Sequence, residues 1–170
     1  MSLRDDIAVE IPRLRRYAWV LLRDATAADD LVQDCLERAI SREHLFQPGT
    51  NLRAWLFTIM HNLHVNAITR ARRMVSADST HNTVDARRAV SPAQGDSLVL
   101  RDLERALALL SVEQRAVVLL IGVEGLSYAE AASVLDVPMG TIMSRLARGR
   151  EKLRRLMDGE DPESKPGKTP

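Results

Sequence analysis

Basic side chains crowd residues 139–157 of this chain. Arg145, Arg148, Arg150, Lys152, Arg154 and Arg155 face a single acid, Glu151. Guanidinium and ammonium groups at this density donate to phosphate oxygens and base edges, so the chemistry they suit is recognition of a polyanion rather than bond-making. Their spacing keeps them off an apolar stripe. Ile142, Leu146, Leu153 and Leu156 recur at steps of four, seven and three, while Thr141, Arg145, Arg148, Lys152 and Arg155 line a neighbouring helical face. Just upstream, Ser127 with Glu130 forms a capping-box pattern that starts a short helix through Ala131, Ala132 and Leu135. Asp136-Val137-Pro138 stops that helix, and Pro138 suits the first turn of the next. Residues 127–157 therefore read as a helix-turn-helix whose second helix is built for DNA. A solvated amphipathic helix would carry similar charges. The tight turn, the cap and the small residues Ala129, Ala131 and Ala132 favour close helix packing, and with it DNA binding.

Charge is polarised elsewhere too, although the net charge of +1 over 170 residues hides it. Residues 44–77 contain no Asp or Glu, yet include Arg53, Arg70, Arg72 and Arg73. A surface that follows a phosphodiester chain must lack carboxylates, since each would repel a phosphate. Residues 24–37 are the reverse, with Asp24, Asp29, Asp30, Asp34 and Glu37 and no basic residue among them. Trp55 could stack on a base, but its spacing with Leu52, Leu56 and Ile59 favours a core position. His61 and His64, three apart, lack a third ligand, so no metal site is expected. Cys35 is the only cysteine, which excludes an intrachain disulfide, and its apolar surroundings suit a small buried hydrophobe. No nucleophile–base–acid set or glycine-rich phosphate loop stands out. No catalytic residue and no cofactor is expected.

Helical spacing organises the rest. Hydrophobic residues make up 45% and aromatics 4%, so a core of Leu, Ile, Val and Ala is expected. Ile7, Ile11, Leu14, Ala18 and Leu21 predict a first helix ending near Arg23-Asp24. Thr26 can cap a second, from Ala27 to about Leu45, with Leu31, Cys35 (or Val32) and Ala39 inward. Phe46-Gln47-Pro48-Gly49 breaks it. Thr50 or Asn51 can cap a third, with Leu52, Trp55, Leu56, Ile59 and Leu63 at core spacing. No window shows strand alternation. The pattern fades over 74–96, a Ser/Thr/Ala/Asp-rich linker of about twenty residues that is more natural between domains than within one. Leu98, Leu103, Leu107 and Leu110 resume it, and Ser111 with Gln114 makes a further capping box. The expected fold is all-α: two small helical domains, 1–73 and 97–157, joined by the linker and followed by a charged tail, 158–170. The N-terminus shows no signal-peptide pattern and no apolar run approaches the roughly 20 residues that span a bilayer, which points to a cytoplasmic protein without membrane contact.

Three segments in order, DDLVQDCLERA (29–39), FQPGTNLRAWLFTIMHN (46–62) and LSYAEAASVLDVPMGTIMSRLARGREKL (126–153), together resemble the extracytoplasmic-function (ECF) group of the sigma-70 family. The FQPGTNLRAWLF stretch is similar to the general-stress branch of alphaproteobacteria. The resemblance implies a sigma-2-like domain, a sigma-4-like domain and no enzyme activity. It implies as partners core RNA polymerase, through the β′ clamp helices and the β subunit, promoter DNA, and an anti-sigma factor. Asp30, Leu31, Gln33, Asp34 and Glu37 would dock on the clamp helices. Phe46, Gln47, Asn51, Arg53, Asn62, Arg70, Arg72 and Arg73 would read and hold the melted −10 element, with Asn62 lining a pocket for a flipped base. Thr141, Met143, Ser144, Arg145, Arg148 and Lys152 would face the −35 element. Met143 departs from the pattern, because relatives commonly place a polar side chain there. A sigma-like decoy that captures an anti-sigma factor is a competing reading, but it would not need Arg145 and Arg148. A simple repressor or activator would leave the acidic and acid-free segments unexplained.

Overall fold

The computed structural model describes residues 2–77 and 98–159, and these form helices and turns with no strand among them. They fall into two compact units. One contains α1–α3; the other contains α4, α5, α7 and the greater part of α6. Helix α1 (Leu3–Leu22) begins at a capping box in which Asp5 N–H donates to Ser2 Oγ and Ser2 N–H donates back to Asp5 Oδ2. It ends at Arg23, whose left-handed conformation (φ 55°) lets its N–H reach the Trp19 carbonyl. Helix α2 (Ala25–Ser41) starts earlier than expected. Asp24, not Thr26, is the cap: its backbone is extended and its Oδ1 accepts from Ala27 N–H at 2.9 Å. The helix also stops short of Leu45, since Glu43–Leu45 tighten into a 3-10 turn.

α2 packs against both α1 and α3, with Ala28, Leu31, Val32, Cys35 and Ala39 inward. The Cys35 thiol donates to the Leu56 carbonyl at 3.5 Å, and burial pushes it up to about 12, so it is an inert core atom. Helix α3 (Leu52–Ala77) turns a slightly different face inward from the one its spacing suggested. Leu56, Phe57 and Met60 are fully buried, and Phe57 meets Tyr17 edge-on at 4.9 Å. Leu52, Trp55, Ile59 and Leu63 are only half-buried. α3 also runs four residues into the expected linker, through Ala77. Met74 and Val75 are both 67% exposed there, so the helix continues without an inward face and leaves no periodicity to read. Most of that linker, and the tail beyond Gly159, lie outside the described residues.

In the second unit, helix α4 (Leu98–Ala108) buries Ala106 and Leu107, with Leu110 just beyond it, while Leu98 stands exposed. Helix α5 (Val112–Val118) opens on the Ser111/Gln114 capping box and carries a buried arginine. Arg115 donates to the carbonyls of Leu107, Ala108 and Leu110 at 2.8–3.0 Å, supplying partners for the carbonyls that the end of α4 leaves open. A π-helical turn, Leu119–Val123, follows. Helix α6 (Tyr128–Leu135) begins at the Ser127/Glu130 capping box, closed by bonds of 2.8 and 3.1 Å.

Helix α7 (Met139–Met157) packs on α4 and α5. Pro138 precedes it as an extended N-cap rather than lying within its first turn. Ile142 and Leu146 are buried as their spacing requires, and Gly149 continues the stripe. A methyl group added at Gly149 would stand 2.9 Å from Val118 Cγ2 and 3.5 Å from Gln114 Cβ. Val118 is β-branched and cannot swing aside freely. Gly149→Ala should therefore destabilise the second unit by about 1 kcal/mol, overpacking outweighing the gain in helix propensity. Hydrogen exchange at α5 and α7 amides would show this as lost protection, restored when Val118→Ala is added. A Gly149→Ala protein that gains protection would refute the close crossing.

Candidate nucleic-acid interface

The acid-free segment folds into a turn and the long helix that it starts. Gly49 takes a left-handed conformation (φ 89°) in the turn, and Thr50 closes it, its Oγ1 donating to the Gln47 carbonyl at 2.7 Å. Asn51 caps α3: its Oδ1 accepts from Ala54 N–H at 3.3 Å. The amide oxygen of Asn51, expected at the −10 element, thus serves the helix start. Phe46 is half-buried and leans on Trp55, ring centroids 5.3 Å apart. Gln47 is exposed at the turn.

Beyond this pair a groove of about 210 Å³ opens between the ends of α2 and α3. Arg38, Arg42, Leu45, Trp55, Thr58, Ile59, Asn62, Leu63 and Asn66 line it. Trp55 is a groove wall rather than a core residue, because the inward face of α3 is taken by Leu56, Phe57 and Met60. The combination suits an unpaired base: an aromatic face for stacking, amides that donate and accept on a base edge, and guanidinium groups for the flanking phosphates. Thr58 is not free to donate there, since its hydroxyl bonds the Ala54 carbonyl at 2.8 Å. Arg38, Arg42 and Asn66 were not singled out from the sequence. Asn62 and Asn66 lie one helical turn apart, a signal that was available; Arg38 and Arg42 come from another helix and join the groove only through packing.

A second groove of about 550 Å³ shares Arg38, Leu63 and Asn66 with the first and adds Asp34, Glu37, Ser41, Ala67 and Arg70. Arg70, expected to hold DNA, thus lies beside two acids expected to dock polymerase. Arg72 and Arg73 are exposed about 15 Å farther along α3 than Asn62, at 1.5 Å rise per residue. Arg53, expected to hold DNA, is engaged within the fold: its Nε and Nη2 donate to Glu10 Oε2 and Oε1 at 2.9 and 3.2 Å, tying the start of α3 to α1. On α2, Asp30, Gln33, Asp34 and Glu37 are all exposed and recur at helical spacing on one face. Leu31, expected to dock with them, is 8% exposed and packs in the core. His61 and His64 are half-buried, and burial holds both imidazoles below their usual range, with the neighbouring His64 adding to the effect on His61. Both are therefore neutral at pH 7.

The second reading surface is the outer side of α7. Met143, Ser144 and Arg148 are exposed, while Thr141, Arg145 and Lys152 are half-buried. Arg148 bends back on Ser144, donating to its carbonyl and to its Oγ, both at 3.3 Å. Farther along, Arg154 and Arg155 bond Glu151 at 3.0 Å, and these hydrogen bonds hold the Glu151 carboxyl below the usual range. Arg148, Arg154 and Arg155 are thus held by groups of their own helix.

Two helical units, each offering a basic, carboxylate-poor helix face, define a bipartite DNA-binding protein. Comparison with known proteins carries this further. Residues 7–61 match the family model described as the sigma2 domain of PhyR, and residues 100–153 match sigma-70, region 4. The ECF RNA polymerase sigma factor EcfG of Rhodopseudomonas palustris (strain TIE-1) is 42% identical over 158 residues, covering 92% of this chain and 85% of that protein. Among solved structures, the sigma factor RpoE of Bartonella quintana, in complex with the anti-sigma factor NepR, aligns with a TM-score of 0.78 at 36% identity, covering 94% of this chain and 98% of that one. CnrH, in complex with the cytosolic domain of CnrY, aligns at 0.63 and 26%, covering 92% and 88%. The chain belongs to the ECF family of RNA polymerase sigma factors. It binds core RNA polymerase and directs it to promoters for transcription initiation. Sigma factors are non-enzymatic initiation factors. Among the described residues no helix is long and apolar enough to cross a membrane.

Salt titration of holoenzyme binding to a promoter fragment separates the two arginine roles. Arg42→Gln should lower the slope of log K against log[salt] by about 0.7–0.9. Arg53→Gln should leave that slope unchanged and instead reduce hydrogen-exchange protection where α3 meets α1. A lowered slope for Arg53→Gln would return it to the DNA-contacting set.

Proposed function

We propose that the groove holding Trp55, Asn62 and Asn66 receives a base extruded from the non-template strand of the −10 element. Arg38 and Arg42 hold its phosphates, and Phe46 buttresses Trp55 from behind. The observation that carries this reading is the meeting of an aromatic face, two amides and two guanidinium groups from different helices in one small groove. The exposed face of Asp30, Gln33, Asp34 and Glu37 docks on a basic helical surface of core polymerase, where opposite charge speeds encounter and fixes register. The outer side of α7 lies in the major groove of the −35 element. Residues 1–77 act as the core-binding and melting domain, residues 98–157 as the −35 domain, and 78–97 as their tether. The protein works in the cytoplasm, where its polymerase is, and performs no chemistry of its own.

An anti-sigma factor holds the protein inactive. The support is the RpoE relative, crystallised with the anti-sigma factor NepR. The likeness to EcfG and the FQPGTNLRAWLF turn favour a general-stress regulon.

Run-off transcription with purified core polymerase tests the −10 assignment, with initiation from an ECF-type promoter by the parent chain as the reference. Asn62→Ala should lower open-complex formation about tenfold or more, as losing an amide–base contact does. Its affinity for core should stay within twofold of the parent. Equal loss of both would make Asn62 a structural residue.

A further inference from the structure

The tip of α7 carries no charge. Its first six residues, Met139, Gly140, Thr141, Ile142, Met143 and Ser144, precede Arg145, and Ile142 is wholly buried against the unit's core. Met139 and Met143, one helical turn apart, are 43% and 48% exposed and share one outward strip. Nothing lies within 4 Å of a methyl placed on Gly140, so the helix surface beside that strip is open. One of the two hydroxyls at the tip is engaged: Ser144 Oγ donates to the Thr141 carbonyl at 3.1 Å and accepts from Arg148.

The N-terminal residues of a recognition helix are those that reach base edges. Here they can offer little hydrogen bonding and a good deal of soft apolar surface. A thioether cannot donate to a phosphate or to guanine. In the major groove, the group that complements an apolar side chain is the C5-methyl of thymine. Methionine's unbranched, polarisable chain adapts well to such a target. Arg145, Arg148 and Lys152 follow within about two turns, placed to hold phosphates once the tip is seated.

We propose that Met143, with Met139 beside it, reads thymine methyl groups in the −35 element and is a specificity-determining residue of this protein. The proposal rests on the assignment of α7 to the −35 major groove. It replaces a polar reader with an apolar one, so preference at the contacted positions is for a methyl-bearing base rather than for guanine.

The test uses the full chain with core polymerase and promoter duplexes recovered by that holoenzyme from a random-sequence pool. Each thymine in the recovered −35 half is replaced in turn by deoxyuridine, which removes only the methyl group. Affinity should fall about fourfold at one or two positions, the worth of one buried methyl. Met143→Ala, an exposed substitution that α7 should tolerate, should bind the thymine duplex about fourfold more weakly and lose the deoxyuridine effect at the same position. Wild-type binding indifferent to every deoxyuridine overturns the proposal, as does a Met143→Ala protein that keeps the parental sensitivity. A recovered element with no thymine on either strand of that half overturns it too. If the pool yields no enriched sequence, the −35 assignment itself fails; an enriched but methyl-insensitive element removes only the thymine reading.

Discussion

Where α7 crosses α5, Gly149 brings the two backbones so close that one added methyl would press on Val118 Cγ2 at 2.9 Å. This crossing is the constraint on which the second unit depends. A recognition helix must be held by one face only, because the opposite face has to remain bare for DNA. Ile142, Leu146 and Gly149 supply that single face, and the tightness of the last contact replaces the area that a wider apolar stripe would bury. Arg115 supports the same arrangement from beneath by bonding the open carbonyls at the end of α4, so α5 arrives against a closed helix terminus.

The first unit solves the same problem with a longer helix. α3 gives Leu56, Phe57 and Met60 to the core and keeps Trp55, Asn62 and Asn66 at a groove. α2, packed on its inner side by α1 and α3, turns its carboxylates outward. The acids are thus gathered on α2, and α3 carries none. The two kinds of surface still meet in the larger groove, where Asp34 and Glu37 stand near Arg70. The acidic and the carboxylate-free surfaces therefore adjoin on one small domain. The Arg53–Glu10 pair fixes the start of α3, and through it the turn that carries Phe46.

Much of this was legible in the sequence because it rests on local rules. The capping boxes at Ser111 and Ser127, the helical period, the stop at Asp136-Val137-Pro138 and the segregation of charge are set by neighbours within four residues, and all recur in the structure. Reading failed where a signal depends on what a residue meets across space. Thr26 lost the cap to Asp24 because the helix begins two residues earlier, where the Asp24 carboxylate accepts from Ala27 N–H. The inward face of α3 was misplaced by about one position, since Phe57 and Met60 fit the space beside Tyr17 better than Trp55 or Ile59. Met74 and Val75 continue the helix with both side chains exposed, so no apolar period betrays it.

By itself, then, the sequence determined the all-helical class, the order of the elements, the family and the two carboxylate-poor helix faces, because periodicity, capping and charge are written in consecutive residues. Only the tertiary structure decided which members of those faces are available. It drew Leu31 into the core, bound Arg53 to Glu10 and Asn51 to a helix start, and brought Arg38 and Arg42 from α2 to Asn62 on α3. The physical reason is that availability depends on burial and on competing partners, and both are settled by residues far apart in the chain.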